Sequence, residues 1–224
     1  MTVYRNHTSI VRAGESRAAR QEFGPRDSMV ARKIEDLNPQ WHSVMEERHI
    51  IAAIRNRAAL EKAAAAPPQV IYLLFGNPLN IGDMLKFMRD SGKLPLVNLD
   101  LLAGFSRDSV NAEFLAAHGA AGIVSTHSEV LRAASKLGLI TVQRTFALDS
   151  AAVEAGLRAT HQFLPDALEI LPAMAAPRVA TRFREVYPSL RVVAGGLLAD
   201  LKEVESVLAT GIDAVSVSDS RFWI

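Results

Sequence analysis

From residue 49 onward, short apolar runs rich in β-branched residues alternate with longer segments whose apolar positions recur every three or four residues. The first pattern buries an extended strand and the second buries one stripe of a helix, so their alternation predicts a parallel sheet covered by helices. Eight runs qualify as strands: Ile50–Ile54, Val70–Phe75, Leu94–Asp100, Gly122–Ser125, Leu139–Arg144, Ala167–Leu171, Arg191–Ala194 and Ala214–Val217. Between them, Ile81, Met84, Leu85 and Met88 fall at i, i+3, i+4 and i+7, with Gly92 just beyond. Ser128 reads as the cap of a helix bearing Val130, Leu131, Ala134 and Leu137 and ending at Gly138; Asp200 with Glu203 reads as a capping box, and Gly211 as its stop. Eight strands separated by seven helices suit a closed barrel better than an open doubly wound sheet. The expected fold is α/β, a (β/α)8 TIM-like barrel with an incomplete eighth unit and an N-terminal extension.

Only seven residues follow the last strand, ending Arg221-Phe222-Trp223-Ile224, which is too few for an eighth helix. A short helix over Gln40 to Glu47, after Asn38-Pro39, is expected to fill that gap. Residues 1–36 mix seven basic with five acidic residues and few large apolar ones. The chain therefore divides into an arm over 1–39, flexible or docked on a partner, and a barrel over 40–224.

Composition narrows the classes of function. At 224 residues, 49% hydrophobic and 22% charged, this is an ordinary globular chain, and its net charge of +1 gives no general attraction to nucleic acid. Any RNA contact requires a local basic patch. No run approaches the ~20 apolar residues of a membrane span, and the N-terminus lacks the apolar stretch of a secretory signal, so a cytoplasmic protein without membrane contact is expected. Zero cysteines exclude disulfides, thiol nucleophiles and thiolate metal sites. The histidines at 7, 42, 49, 118, 127 and 161 are scattered rather than set at metal-ligand spacing, so no metal is expected. Neither G-x-G-x-x-G, nor a P-loop, nor G-x-S-x-G occurs.

The candidate chemistry gathers at the C-terminal ends of the strands. The run Arg191–Ala194 ends in Gly195-Gly196, and the next unit leads to Ser216-Val217-Ser218. Glycines let backbone N–H groups approach a ligand and a following helix N-terminus adds partial positive charge, which suits a phosphate after strands 7 and 8 of a barrel. A Gly-Gly pair also simply turns a chain out of a strand. The same rim should carry Arg55, Gly76, Asn77, Asn98, Asp100, Ser125, Thr126, His127, Gln143, Arg144 and Glu169. Asn98, Gln143 and Glu169 lie in apolar strands, where an unpartnered polar group costs about 1–3 kcal/mol. They either satisfy one another as a structural network or grip a polar ligand. Asp100 with Glu169 would permit acid/base chemistry or hold a divalent ion, but their spacing matches no tight motif.

The ordered motifs resemble one family, the glycerol-3-phosphate-responsive antiterminators of bacterial glycerol-uptake operons. They are Ile51-Ala52-Ala53-Ile54-Arg55; Tyr72-Leu73-Leu74-Phe75-Gly76-Asn77 with Leu79-Asn80-Ile81; Asn98-Leu99-Asp100-Leu101; Gly122-Ile123-Val124-Ser125-Thr126; Gln143-Arg144-Thr145-Phe146; Glu169-Ile170-Leu171-Pro172; Val193-Ala194-Gly195-Gly196-Leu197; and Val215-Ser216-Val217-Ser218. The chain departs from the pattern at Asn98, where a histidine is expected, and at His127, Ala173 and Val217. The resemblance implies a barrel that binds glycerol 3-phosphate as effector, with no other cofactor, and acts on a leader mRNA to let transcription pass a terminator. It implies that Gly195, Gly196, Ser216 and Ser218 hold the phosphate, that Arg144 or Arg55 supplies charge, and that Asp100, Gln143 and Glu169 bind the glycerol hydroxyls. Asn98 joins this ligand-binding set.

RNA is expected to meet Arg178, Arg182 and Arg184 on the helix after the sixth strand, together with Arg12, Arg17 and Arg20 of the arm, although a solvated helix face explains the first three equally well. A homo-oligomer and a regulator rather than an enzyme are expected. The alternative is a TIM-barrel enzyme acting on a small phosphorylated substrate, a phosphosugar or a glycerophosphodiester, with Asp100 and Glu169 as acid and base.

Overall fold

The computed structural model describes residues 38–47 and 49–224, so the expected arm, apart from Asn38 and Pro39, lies outside the described residues. Helix α1 (Pro39–Glu47) precedes strand β1 (Ile50–Ile54), and seven strand–helix units follow the same order. The strands are β2 (Val70–Leu73), β3 (Leu94–Asn98), β4 (Gly122–Ser125), β5 (Ile140–Phe146), β6 (Ala167–Leu171), β7 (Arg191–Gly195) and β8 (Ala214–Val217). The helices between them are α2 (Ala58–Ala65), α3 (Ile81–Asp90), α4 (Ser109–Ala117), α5 (Ser128–Lys136), α6 (Ser150–Gln162), α7 (Ala176–Val186) and α8 (Leu201–Leu208). All pairings are parallel, and β8 pairs with β1 to close the barrel.

Successive residues of a strand face opposite sides, so each barrel strand buries one set of side chains in the lumen and the other under the helices. The pairing registers stack the lumenal side chains in layers contributed by alternate strands. Ile51, Leu96, Val142 and Val193 form an apolar layer. Above it lie Tyr72, Val124, Glu169 and Ser216, and above those Ala53, Asn98, Arg144 and Gly195. The lumen thus turns polar toward the C-terminal ends of the strands.

The helix before β1 has a different task from the one expected of it. Trp41, Val44 and Met45 of α1 are buried in the same cluster as lumenal Ile51, Leu94 and Val142, so α1 plugs the N-terminal floor of the barrel. It is anchored there by the Asn38 amide, which donates to Asp166 Oδ1 at 2.6 Å, just ahead of β6. The outer face beside β8 is covered instead by Phe222 and Trp223, which join the cluster containing Leu60 and Ala63 of α2. Trp223 Nε1 donates to Val217 O at 2.9 Å, fastening the tail. Two aromatic side chains bury as much apolar surface as a short helix stripe, which is why seven residues suffice.

The capping box at Asp200 is present, with its carboxylate accepting from the Glu203 amide at 2.9 Å. Ser128 is not a cap: it is the first residue of α5, and its hydroxyl donates to Ala159 O on α6. Leu137 follows the end of α5 and is half exposed rather than in the core.

Candidate functional site

A cavity of ≈100 Å³ opens at the C-terminal mouth of the barrel, lined by Arg55, Arg144, Glu169, Gly196, Ser216, Ser218 and their neighbours. Glu169 is its buried hub. Glu169 Oε2 accepts from Arg144 Nε at 2.7 Å, and Oε1 accepts from Ser216 Oγ at 2.7 Å. Both bonds match donors to the two oxygens of a buried carboxylate, which would otherwise lack partners. The Arg144 charge is spent on this pair. Arg55 lines the same cavity and is exposed, and among the described residues it forms no ion pair.

The two glycines have separate tasks. Gly195 is buried beside the Ser216–Glu169 bond, and a Cβ there would intrude on both partners. Its lack of a side chain makes that bond possible. Gly196 at φ +79 and Leu197 at φ +59 both adopt left-handed backbone. For leucine that conformation costs about 1–3 kcal/mol, and such strain gathers at functional loops. Leu197 is also 83% exposed, so packing does not account for its placement.

The loops after β7 and β8 both border the cavity, through Gly196, Leu197 and Leu198 on one side and Ser218 and Asp219 on the other. Among the described residues, the amides of these five make no hydrogen bond. The helix N-terminus expected to help them is partly engaged by the chain's own carboxylates. The Glu203 amide is taken by Asp200, and the Ala199 amide donates to Glu203 Oε2 at 2.7 Å. Asp219 brings a carboxylate to the rim, but Arg221 grips it, with Nη2 at 2.6 Å from Oδ2, and holds its carboxyl below the usual range. With Glu169 and Asp219 each matched to an arginine, Arg55 leaves the cavity with an excess of positive charge.

The remaining nominated residues do not share this cavity. Gln143 faces outward with Thr141 and Thr145, and its Nε2 donates to Gly156 O on α6 at 3.3 Å. It is therefore a strand–helix contact, on the wrong face of β5 to reach the mouth. Asp100 lies in a short helical turn after β3, where Ser125 Oγ and the Thr126 amide each donate to it at 2.7 Å. Arg107 and His127 stand 3.8 and 3.5 Å from the same carboxylate. That cluster ties β3 to β4, across the barrel from β7 and β8. Asp100 and Glu169 thus belong to different networks rather than forming one acid/base pair. Among the described residues, no three His, Cys, Asp or Glu side chains come together as metal ligands.

Of the arginines on α7, Arg182 pairs with Glu154. Arg184 donates to Gly211 O and to Asp213 Oδ2, at 2.8 and 2.6 Å. Asp213, which the sequence did not single out, also takes Arg191 and the Val192 amide, so Arg184 is part of a brace below β7 and β8. Arg178 is exposed, and among the described residues it forms no ion pair. No helix of the described residues is long and apolar enough to cross a membrane.

Sequence reasoning also missed Tyr72. Its side chain lies fully buried in the layer of Glu169, and burial, reinforced by the Glu169 charge, pushes its hydroxyl well above the ordinary tyrosine range while Arg144 opposes the shift. A tyrosine inside the run Val70–Leu74 has no sequence signal to set it apart from its apolar neighbours.

Comparison with known proteins adds an independent line. The profile of a family described as glycerol-3-phosphate responsive antiterminator matches residues 50–223. An uncharacterised Escherichia coli protein, YgcP, is 30% identical over 181 residues, covering 80% of this chain and 94% of its own length. A glycerol uptake operon antiterminator-related protein from Thermotoga maritima superposes with a TM-score of 0.71 at 32% identity, over 79% of this chain and 98% of its own. A glycerol uptake operon antiterminator regulatory protein from Listeria monocytogenes gives a TM-score of 0.74 at 27% identity, over 79% and 95% respectively.

Proposed function

This chain belongs to the glycerol-3-phosphate responsive antiterminator family, and from that premise we propose that its mouth cavity binds glycerol 3-phosphate and that occupancy sets its affinity for a leader RNA in the cytoplasm. The observation that carries the reading is the row of unbonded amides at Gly196, Leu197, Leu198, Ser218 and Asp219, all bordering one cavity. Backbone donors held in place without internal partners bind an oxyanion with little reorganisation, and Arg55 supplies the charge. On this reading the hydroxyl-bearing carbons lie toward Glu169 and Ser216, which line the same cavity.

An effector regulates only if it binds one state of the protein better than another. The strained Gly196–Leu197 turn is the element best suited to respond, because amides that gain an anion favour one loop geometry over its alternatives. Among the three arginines first nominated for RNA, Arg178 is the one left unpaired, since the others are engaged by Glu154 and Asp213.

The enzyme reading is not favoured by any specific contact, because Asp100 does not border the cavity that contains Glu169. The test is filter binding of the operon leader RNA with and without glycerol 3-phosphate across a salt series. Affinity should change with the effector and fall with salt along a log–log slope of about −0.7 per phosphate contacted. RNA affinity indifferent to the effector at every salt concentration overturns the proposal.

A further inference from the structure

Two polar groups inside the barrel are left unsatisfied by the chain itself. Tyr72 on β2 and Asn98 on β3 are both 0% exposed, and among the described residues Tyr72 Oη and Asn98 Nδ2 have no hydrogen-bond partner. Their strand positions direct both toward the lumen, in the two layers that also hold Glu169 and Arg144. Asn98 is oriented by its other end, since Oδ1 accepts the Asp100 amide at 3.1 Å, which leaves the NH2 as the free group. Glu169 is close enough to influence Tyr72, yet its bonds go to Arg144 and Ser216. Ala53, a small residue that lines the cavity, pairs in register with Tyr72 and shares the layer of Asn98, so the cavity reaches the level of the donors.

A buried donor without an acceptor destabilises a fold, and a fold that keeps two of them in the layers whose Glu169 and Arg144 line the ligand cavity has an acceptor in view. The Glu169 carboxylate disfavours a second negative charge nearby, so the fitting acceptor is a neutral oxygen. We propose that Tyr72 and Asn98 are specificity-determining donors that take a hydroxyl oxygen at the carbon end of a phosphorylated polyol, and so distinguish it from phosphate alone. This rests on the cavity binding glycerol 3-phosphate as proposed above. The phosphate sits at the loop amides and the carbon chain descends past Glu169 toward β2 and β3.

Calorimetry with glycerol 3-phosphate and, separately, with inorganic phosphate tests this on the wild type, Tyr72→Phe and Asn98→Leu. Tyr72→Phe removes only the hydroxyl, and Asn98→Leu keeps the volume and deletes the free donor without adding charge. Each variant should bind glycerol 3-phosphate about tenfold more weakly, the worth of one buried hydrogen bond, with inorganic phosphate unchanged. Undiminished affinity for glycerol 3-phosphate in both variants overturns the inference, as does an equal loss for both ligands, which would mark a structural role. A wild-type protein that binds neither ligand overturns the proposed function itself and this inference with it. Binding of glycerol 3-phosphate that is insensitive to the two substitutions leaves that function standing and removes only the donors.

Discussion

Gly195 and Ser216 approach so closely across β7 and β8 that a Cβ on the glycine would stand 2.4 Å from the serine hydroxyl oxygen, and 3.0 Å from Glu169 Oε1. The absent methyl therefore protects the Ser216–Glu169 hydrogen bond, and through it the buried ion pair with Arg144.

Gly195→Ala forces Ser216 away from Glu169. Overpacking of this kind costs about 1–3 kcal/mol. Ser216→Ala removes the nearest obstacle, so adding it to Gly195→Ala should recover part of the loss, giving a coupling energy well away from zero. Urea unfolding of the wild type, both single variants and the double variant measures it. Strictly additive effects would mean that the two positions do not oppose each other as the geometry requires.

Glu169→Gln keeps the shape of the hub and removes its charge. The Arg144 side chain is 9% exposed and that of Glu169 1%, so the arginine is left with an uncompensated charge in a poorly solvated place. Breaking one side of a buried pair costs about 3–5 kcal/mol, and the remaining amide oxygen puts the expected loss at the lower end. Freed from its carboxylate, Arg144 should also strengthen phosphate binding. Unfolding without ligand and calorimetry with inorganic phosphate separate the two effects: stability falls while phosphate affinity rises. A fall in both would indicate that Arg144 needs Glu169 to hold it in place.

How much of this was legible beforehand depends on which physical signal each residue carries. The eight strands were readable because each is a short, largely apolar run, and most observed boundaries fall within one or two residues of those expected. Gln143 and Arg144 were not separable, because a barrel strand is buried on both faces and its apolar pattern does not reveal which parity faces the lumen. The floor plug was misassigned for a related reason: the sequence over residues 40–47 shows an amphipathic helix, but not whether its apolar stripe meets the outside of the barrel or its end. Tyr72 was hidden because a hydroxyl becomes a signal only once its burial and lack of a partner are known.

The Asp213 brace offers a test that separates stability from RNA contact. Asp213→Ala strands Arg184, Arg191 and the Val192 amide together, a cost of about 2–3 kcal/mol for hydrogen bonds to a charged group. Arg184→Ala should share that destabilisation in thermal melts while leaving leader-RNA affinity unchanged at a temperature where the variant is folded. Arg178→Glu should do the reverse, weakening RNA binding with little effect on melting. A loss of RNA affinity in Arg184→Ala alone would return that arginine to the interface.

Tyr72 also predicts an alkaline limit to stability. Its hydroxyl is raised well above the ordinary value of 10.0, chiefly by burial. A group whose folded value lies above its unfolded value contributes stability that is whole below the unfolded value and is lost as pH rises beyond it, because the unfolded chain then releases a proton that the folded chain retains. The loss begins near pH 10 and proceeds at up to about 1.4 kcal/mol per pH unit for one proton. Tyr187 is raised by partial burial and contributes with the same sign, so the informative quantity is the difference between wild type and Tyr72→Phe. Urea unfolding at a series of pH values from 8 to about 11 should show the two chains diverging only above pH 10, with the variant losing stability less steeply. Parallel curves would mean that the Tyr72 hydroxyl ionises in the folded barrel as freely as in water, which is incompatible with a buried donor poised for a ligand.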